Sequence, residues 1–158
     1  MKFLFDYLKS GKINEKLILK LHSLLMNGVR EDAGQYRRHG VRIVGSNVTT
    51  ANYMKVPELI KNLIKDINKR EKDIIQHATI VHSRFEQIHP FSDGNGRIGR
   101  LILSAMLLLN NLPSAVIEIK EKRLYLSYLR KSQLKNDFVS LEDLVCNAIL
   151  NGFKIIES

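Results

Sequence analysis

Residues 97–110, RIGRLILSAMLLLN, are apolar on almost every side. A helix without a polar face has to lie inside a protein or inside a membrane. The apolar run from Leu101 to Leu109, interrupted only by Ser104, is too short for a bilayer, which takes roughly 20 residues. This stretch is therefore a central buried helix, and the rest of the chain must supply its walls. At 158 residues the chain suffices for one such core, a single domain spanning 1–158.

The walls are legible as further helices. Residues 14–26 carry apolar side chains at 17, 18, 21, 24 and 25, a helical spacing. Residues 56–67 resume it, with Pro57 tolerated in a first turn. Residues 73–87 set Ile74, Ala78, Val81 and Phe85 on one face, and 118–134 and 140–153 are two more helices. Ser140, with Asp143 three residues on, resembles an N-cap signal. The exception is VRIVGS, residues 41–46, short, β-branched and closed by glycine. It reads as a short strand, half of a small hairpin. The expected fold class is all-α, a helical bundle with one small β-hairpin.

Charge and cysteine content narrow the setting. The net charge is +9, from 25 basic and 16 acidic residues. The lysines are interspersed with acids in KNLIKDINKREKD and EIKEKRLY, a solvated surface rather than a nucleic-acid arm. No zinc-finger spacing or RNA-recognition signature occurs, so neither a nucleic-acid nor a membrane partner is expected. Cys146 is the one cysteine, so no intrachain disulfide can form; a reducing, cytoplasmic setting is expected. The opening MKFLFDYLKS, with Asp6 and no small-residue cleavage site, does not read as a signal peptide.

Chemistry concentrates just before the central helix, in IHPFSDGNGRIGR. Pro90 stops the preceding helix. Asp93, Gly94, Asn95 and Gly96 make a tight turn, since Gly and Asn tolerate positive φ. The next helix opens near Arg97 with unpaired N–H groups and the positive end of its dipole, a ready phosphate site. Arg97 and Arg100, three apart, project from one side of that first turn and suit a ligand with more than one phosphate. Asp93 places a carboxylate inside this cationic nest, where Mg²⁺ would bridge it to phosphate oxygens. His89 is the general-base candidate. Base, metal carboxylate, anion nest and two arginines spell phosphoryl or nucleotidyl transfer. No GxxxxGK[ST] occurs, which excludes a P-loop site. His77, His82 and His89, spaced 5 and 7 apart, do not share one helical face, so they do not make a zinc site.

HPFSDGNGRIGR resembles the motif of the Fic family, HPFx(D/E)GNGRxxR, at every fixed position. The resemblance extends over residues 13–150: LHSLLMNGVREDAGQYR looks like the lead-in to the family's flap, VRIVGS like the flap strand, and RLYLSYLRKSQ like its later tyrosine-bearing helix. It implies a Fic-type bundle that moves AMP from ATP to a Tyr, Thr or Ser hydroxyl of a target protein. His89 would then deprotonate that hydroxyl, and Phe91 would anchor the loop. Asp93 would hold Mg²⁺; Gly94, Asn95 and Gly96 would cradle the phosphates, and Arg97 and Arg100 would bind the β and γ groups. The flap residues Val44, Gly45, Ser46 and Asn47 would line the nucleotide site and pin the target segment by main-chain pairing. Tyr125 would line the adenine side.

Many relatives carry an inhibitory helix with the pattern [ST]xxxE[GN]. Here the one [ST]xxxE match is Ser114 to Glu118, followed by Ile119. The resemblance therefore implies an inhibitory helix outside this sequence or a separate inhibitory protein. Two other functions stay open at this point: a transferase of the same fold using another nucleotide or phospho-donor, and a non-catalytic binding module.

Overall fold

The structure is a computed structural model that describes residues 11–157, with side chains through Lys154. The signal-peptide reading of residues 1–10 lies outside the described residues. Among the described residues the fold has six α-helices: α1 (Glu15–Met26), α2 (Val56–Ile67), α3 (Ile74–Ile88), α4 (Asn95–Leu109), α5 (Lys122–Lys135) and α6 (Val139–Glu157). Short 3₁₀ turns at Tyr53–Lys55 and Ile119–Glu121 lead into α2 and α5. Helix α4 is the buried one, with Ile98, Ile102, Leu103, Ala105, Met106 and Leu107 all inside. Its neighbours contribute Leu17 and Ile18 from α1, Ile60 and Leu63 from α2, Val81 and Phe85 from α3, and Val145 and Ile149 from α6. A smaller cluster joins Tyr125 and Leu129 of α5 to Leu141 and Leu144 of α6.

The helix ends follow local chemistry. Asn14 caps α1 by accepting the N–H of Leu17 at 2.9 Å, and Asp73 caps α3 by accepting that of Gln76 at 2.9 Å. Pro57 sits in the first turn of α2. Helix α6 begins at Val139, so Ser140 lies inside the first turn rather than at the cap; Asp137 accepts the Val139 N–H instead. No helix among the described residues is long and apolar enough to cross a membrane.

The expected hairpin does not form: among the described residues there is no strand. Residues 41–50 make an open loop instead. A turn closes its tip, with the Ser46 N–H bonded to the Ile43 carbonyl at 3.1 Å, and Thr50 Oγ1 donates to the Val41 carbonyl at 2.8 Å. The two arms are thus clipped by a side chain and not laddered. The physical reason is isolation, since a lone two-stranded ribbon is marginal in water, and Val48 is the one flap residue buried against the domain.

Candidate active site

Helix α3 ends in an unusual residue. His89 caps it in the left-handed region, φ 52° and ψ 61°, a conformation that costs a non-glycine residue on the order of 1–3 kcal/mol. Arg37 helps to hold it there. This buried guanidinium donates to the His89 carbonyl at 2.6 Å and to that of Ile88 at 3.2 Å. It also donates to the carbonyls of His39 at 2.8 Å and Ala51 at 2.5 Å, which stand at the two feet of the flap. One side chain therefore fixes the histidine and the base of the flap together.

The loop after His89 is locked from within and from below. Asn95 bonds Phe91 in both directions, its Oδ1 accepting the Phe91 N–H at 2.9 Å and its Nδ2 donating to the Phe91 carbonyl at 2.8 Å. The Phe91 ring is fully buried, worth roughly 2–3 kcal/mol of transfer free energy. It stacks on His22 of α1, with centroids 3.7 Å apart and planes 4° off parallel. His22 accepts the Gly34 N–H at Nδ1, 2.8 Å, which leaves the proton on Nε2 to donate to the Asp93 carbonyl at 3.1 Å. Burial holds His22 below the ordinary histidine range, in keeping with this neutral form. Ser92 donates to Asp32 at 2.6 Å; the Arg30 guanidinium, helped by that bond, holds the Asp32 pKa down to about 2. The glycine-broken segment 27–37 is thus a clamp under the loop.

The locked loop presents an open helix end. Gly94, at φ 82°, turns the chain into α4 and gives no side-chain cap. The N–H groups of Asn95, Gly96 and Arg97 have no partner among the described residues, so three donors and the helix dipole face outward. Asp93 is exposed at the rim; its Oδ1 takes the Gly94 N–H at 2.6 Å, and its Oδ2 stands 3.8 Å from Arg97. His89 Nδ1 donates to the Glu86 carbonyl at 3.0 Å, which leaves Nε2 as the ring's free lone pair. Burial pushes the His89 pKa down, with the Arg37 charge adding to this, so the imidazole is a neutral base at pH 7.

A cavity of about 280 Å³ lies beside this helix end, under the flap. It brings together Val44, Gly45, Ser46, His89, Gly96, Arg100 and Tyr125 of the expected site. Asp93, Gly94, Asn95 and Arg97 lie along the other side of the turn, and Asn47 faces the outer hollow of the flap. The Asn95 side chain is committed to Phe91, so only its N–H is offered. The two arginines part company: Arg97 reaches Met26 Sδ of α1 at 3.3 Å, while Arg100 stands against Tyr125 and Glu86. Three residues along a helix leave about 60° between side chains, enough for long guanidiniums to find different neighbours. Tyr125 is buried and its hydroxyl meets His82 Nε2 at 2.8 Å.

Sequence reading missed His22, Arg37 and Glu86. The available signal was Gly99. A glycine inside a helix as apolar as α4 marks a close approach, and a Cβ there would lie 2.2 Å from Glu86 Oε1. The Ser114–Glu118 match is not a helix but the connection ahead of α5, where Glu118 pairs with Lys120.

A helical domain whose innermost helix opens on a glycine-rich turn edged by a histidine is the class of fold and site seen here. The sequence profile of the Fic/DOC family matches residues 12–107, and the chain belongs to that family. It is 35% identical over 126 residues to the probable protein adenylyltransferase aq_aa38 of Aquifex aeolicus, covering 79% of this chain and 38% of that relative. The chain thus spans well under half the length of that relative. A Fic family protein from Desulfovibrio desulfuricans G20 superposes with a TM-score of 0.75 at 28% identity, over 92% of this chain and 48% of that one. Fic-1 (residues 134–508, E274G) from C. elegans gives 0.83 at 21% identity, over 99% of this chain and 49% of its own, a likeness of fold.

Proposed function

We propose that the chain is a protein adenylyltransferase that moves AMP from ATP to a Tyr, Thr or Ser hydroxyl of a target protein. One observation carries this reading: a neutral His89, its tautomer set by the Glu86 carbonyl, opens into the same cavity as the bare helix end and Arg100. The protein adenylyltransferase name of the Aquifex relative supports it.

The chemistry then runs as an in-line exchange. His89 Nε2 takes the proton of the target hydroxyl while its oxygen bonds the α-phosphorus. The bond from that phosphorus to the α,β-bridging oxygen breaks, and pyrophosphate leaves with the electron pair. The N–H groups of Asn95, Gly96 and Arg97 and the two guanidiniums receive the negative charge, as preorganised donors. The flap residues Val44 to Asn47 hold the target's main chain as an added strand; the backbone N–H groups of Val44, Gly45 and Asn47, without a partner among the described residues, support this.

Mg²⁺ fits at Asp93. The carboxylate is exposed beside the anion cradle, and no cluster of three His, Cys, Asp or Glu residues exists among the described residues to suit a transition metal. An ion with one protein carboxylate and the remaining positions on phosphate and water is typical of Mg²⁺, which would neutralise phosphate charge when bound. Restraint by a separate inhibitory protein, or by a helix outside this sequence, belongs to the same proposal.

The test offers the purified chain each nucleoside triphosphate, labelled at the α-phosphorus, with Mg²⁺ and a lysate. Label from ATP alone should enter protein, and Asp93→Ala should lose the Mg²⁺ dependence. Label from another nucleotide would change the donor, and no label from any would remove the enzymatic reading.

A further inference from the structure

One carboxyl in this site has no assigned task. Glu86 of α3 is 5% exposed, and its Oε1 has no hydrogen-bond partner. It is not an accident of packing, because the chain makes room for it. Its carboxyl lies where a Cβ of Gly99 would be, 2.2 Å from Oε1 and 3.2 Å from Cδ. Glycine is the poorest helix former after proline, yet it stands in the most buried helix of the protein. A buried, unpaired carboxyl oxygen in a native fold needs a reason. Glu86 also lines the cavity beneath the flap, next to Arg100, without an ion pair between them.

We propose that Glu86 is a positioning residue for Arg100, and that polyphosphate binding transfers the guanidinium from Glu86 to the phosphate while Glu86 takes up a proton from solvent. This rests on the reading of Arg100 as a phosphate ligand. Without nucleotide, Glu86 is the one acidic residue lining the cavity with Arg100, and the two interact through charge. With nucleotide, Arg100 turns outward, and an ionised Glu86 would face an anion in a dry pocket. Protonation removes that conflict, and the neutral carboxyl then donates a hydrogen bond.

The surroundings favour such a proton. Burial raises the Glu86 pKa to about 7, against the lowering pull of Arg100. The titratable and charged groups around it are His82 and His89 on its own helix, Arg100 on α4, and Tyr125 with Arg130 on α5. The flap residues of the cavity, Ile43 to Ser46, are uncharged. His82 is held down to about 4 by burial and stays neutral through pH 6–8. Burial likewise keeps Tyr125 protonated. Between pH 6 and 8 Glu86 is thus the group in this shell poised to exchange a proton. The sign is fixed: protonated Glu86 favours the bound state, so affinity falls as pH rises.

The experiment is calorimetry of α,β-methylene ATP with Mg²⁺ on the intact chain, at pH 7, in two buffers of different ionisation enthalpy. The unaltered protein should take up a fraction of a proton per ligand beyond that of Glu86→Gln. From pH 6 to 8 its affinity should fall about 5-fold relative to Glu86→Gln, in which the linkage is absent. The ligand's own titration is common to both proteins and cancels in that ratio. Thermal melting of Glu86→Gln establishes that it is folded, and the unaltered protein's proton uptake provides a reading that needs no variant. Equal proton uptake and equal pH slopes in the two proteins would overturn the proposal while leaving the nucleotide site in place. No binding of the analogue to either protein would instead overturn the proposed function.

Discussion

The loop at residues 89–100 and the flap at residues 41–50 face each other across one cavity and are built on opposite terms. In the loop, Phe91, Gly94 and Asn95 are buried, and His89, Pro90 and Ser92 are tied to segment 27–37. In the flap, Val44 is 99% exposed and the arms share one side-chain clip. Yet both hang from the same guanidinium, that of Arg37. The difference divides the work. Chemistry on a phosphorus needs atoms held to fractions of an ångström, whereas a surface that receives a polypeptide segment gains from leaving its own backbone groups unpaired.

The hardest blow to this division falls on the histidine. His89→Ala should lower transfer about 10²–10⁴-fold, the usual contribution of a general base, while ATP affinity stays within about 3-fold because the cradle lacks the imidazole. In the parent, the acid limb of kcat/KM should lie below pH 6.5, since burial keeps His89 neutral. Single-turnover rates and equilibrium binding measured side by side check both parts. Transfer unchanged at neutral pH would remove His89 from the mechanism.

Removing the shared anchor should damage loop and flap at once. Arg37→Ala leaves four carbonyls without their donor and should cost about 3–4 kcal/mol by chemical denaturation. Arg37→Lys should recover little of it, because one ammonium cannot span that set. A loss below about 1 kcal/mol would mean that loop and flap are anchored independently.

A smaller effect separates the buried carboxyl from the exposed ones. Burial raises the Glu86 pKa to about 7 from 4.5. A raised carboxyl favours the folded state below the unfolded pKa, and that stability is lost as pH rises through the folded pKa. Glu86→Gln should therefore match the parent near pH 4.5 and gain on it up to pH 8, by about 3 kcal/mol. His82 titrates in both proteins and drops out of the difference. A stability difference independent of pH would contradict the burial argument.

The flap should show the smallest stability effect. Val44→Ala should leave unfolding free energy within about 0.5 kcal/mol while raising KM for the protein target and not for ATP. A rise in the ATP KM alone would place Val44 on the nucleotide side.

How much of this was legible before any coordinates follows the same division. The apolar pattern of 97–110 announced α4, and the six helices lie where periodicity put them, because a 3.6-residue stripe is a local property. The loop was legible for a related reason: His89, Asp93, Gly94 and the arginines are neighbours in sequence. The clamp was not, since His22 and Arg37 act on main-chain atoms of Asp93 and His89 that lie 71 and 52 residues away. Side-chain identity says nothing about which carbonyl an arginine will find. VRIVGS misled because β-branched composition reports strand propensity, while a ladder needs a neighbour. For the two arginines, spacing fixed where the side chains start, not which neighbours the guanidiniums find.

The most direct measurement follows which phosphorus of ATP reaches protein. The chain is incubated with Mg²⁺ and a lysate, once with ATP labelled at the α-phosphorus and once with ATP labelled at the γ-phosphorus, beside His89→Ala. Relative to the lysate alone, whose kinases incorporate γ label, the account predicts that the chain adds α label, adds no γ label, and that His89→Ala adds neither. Added γ label, or α label added equally by His89→Ala, would contradict it.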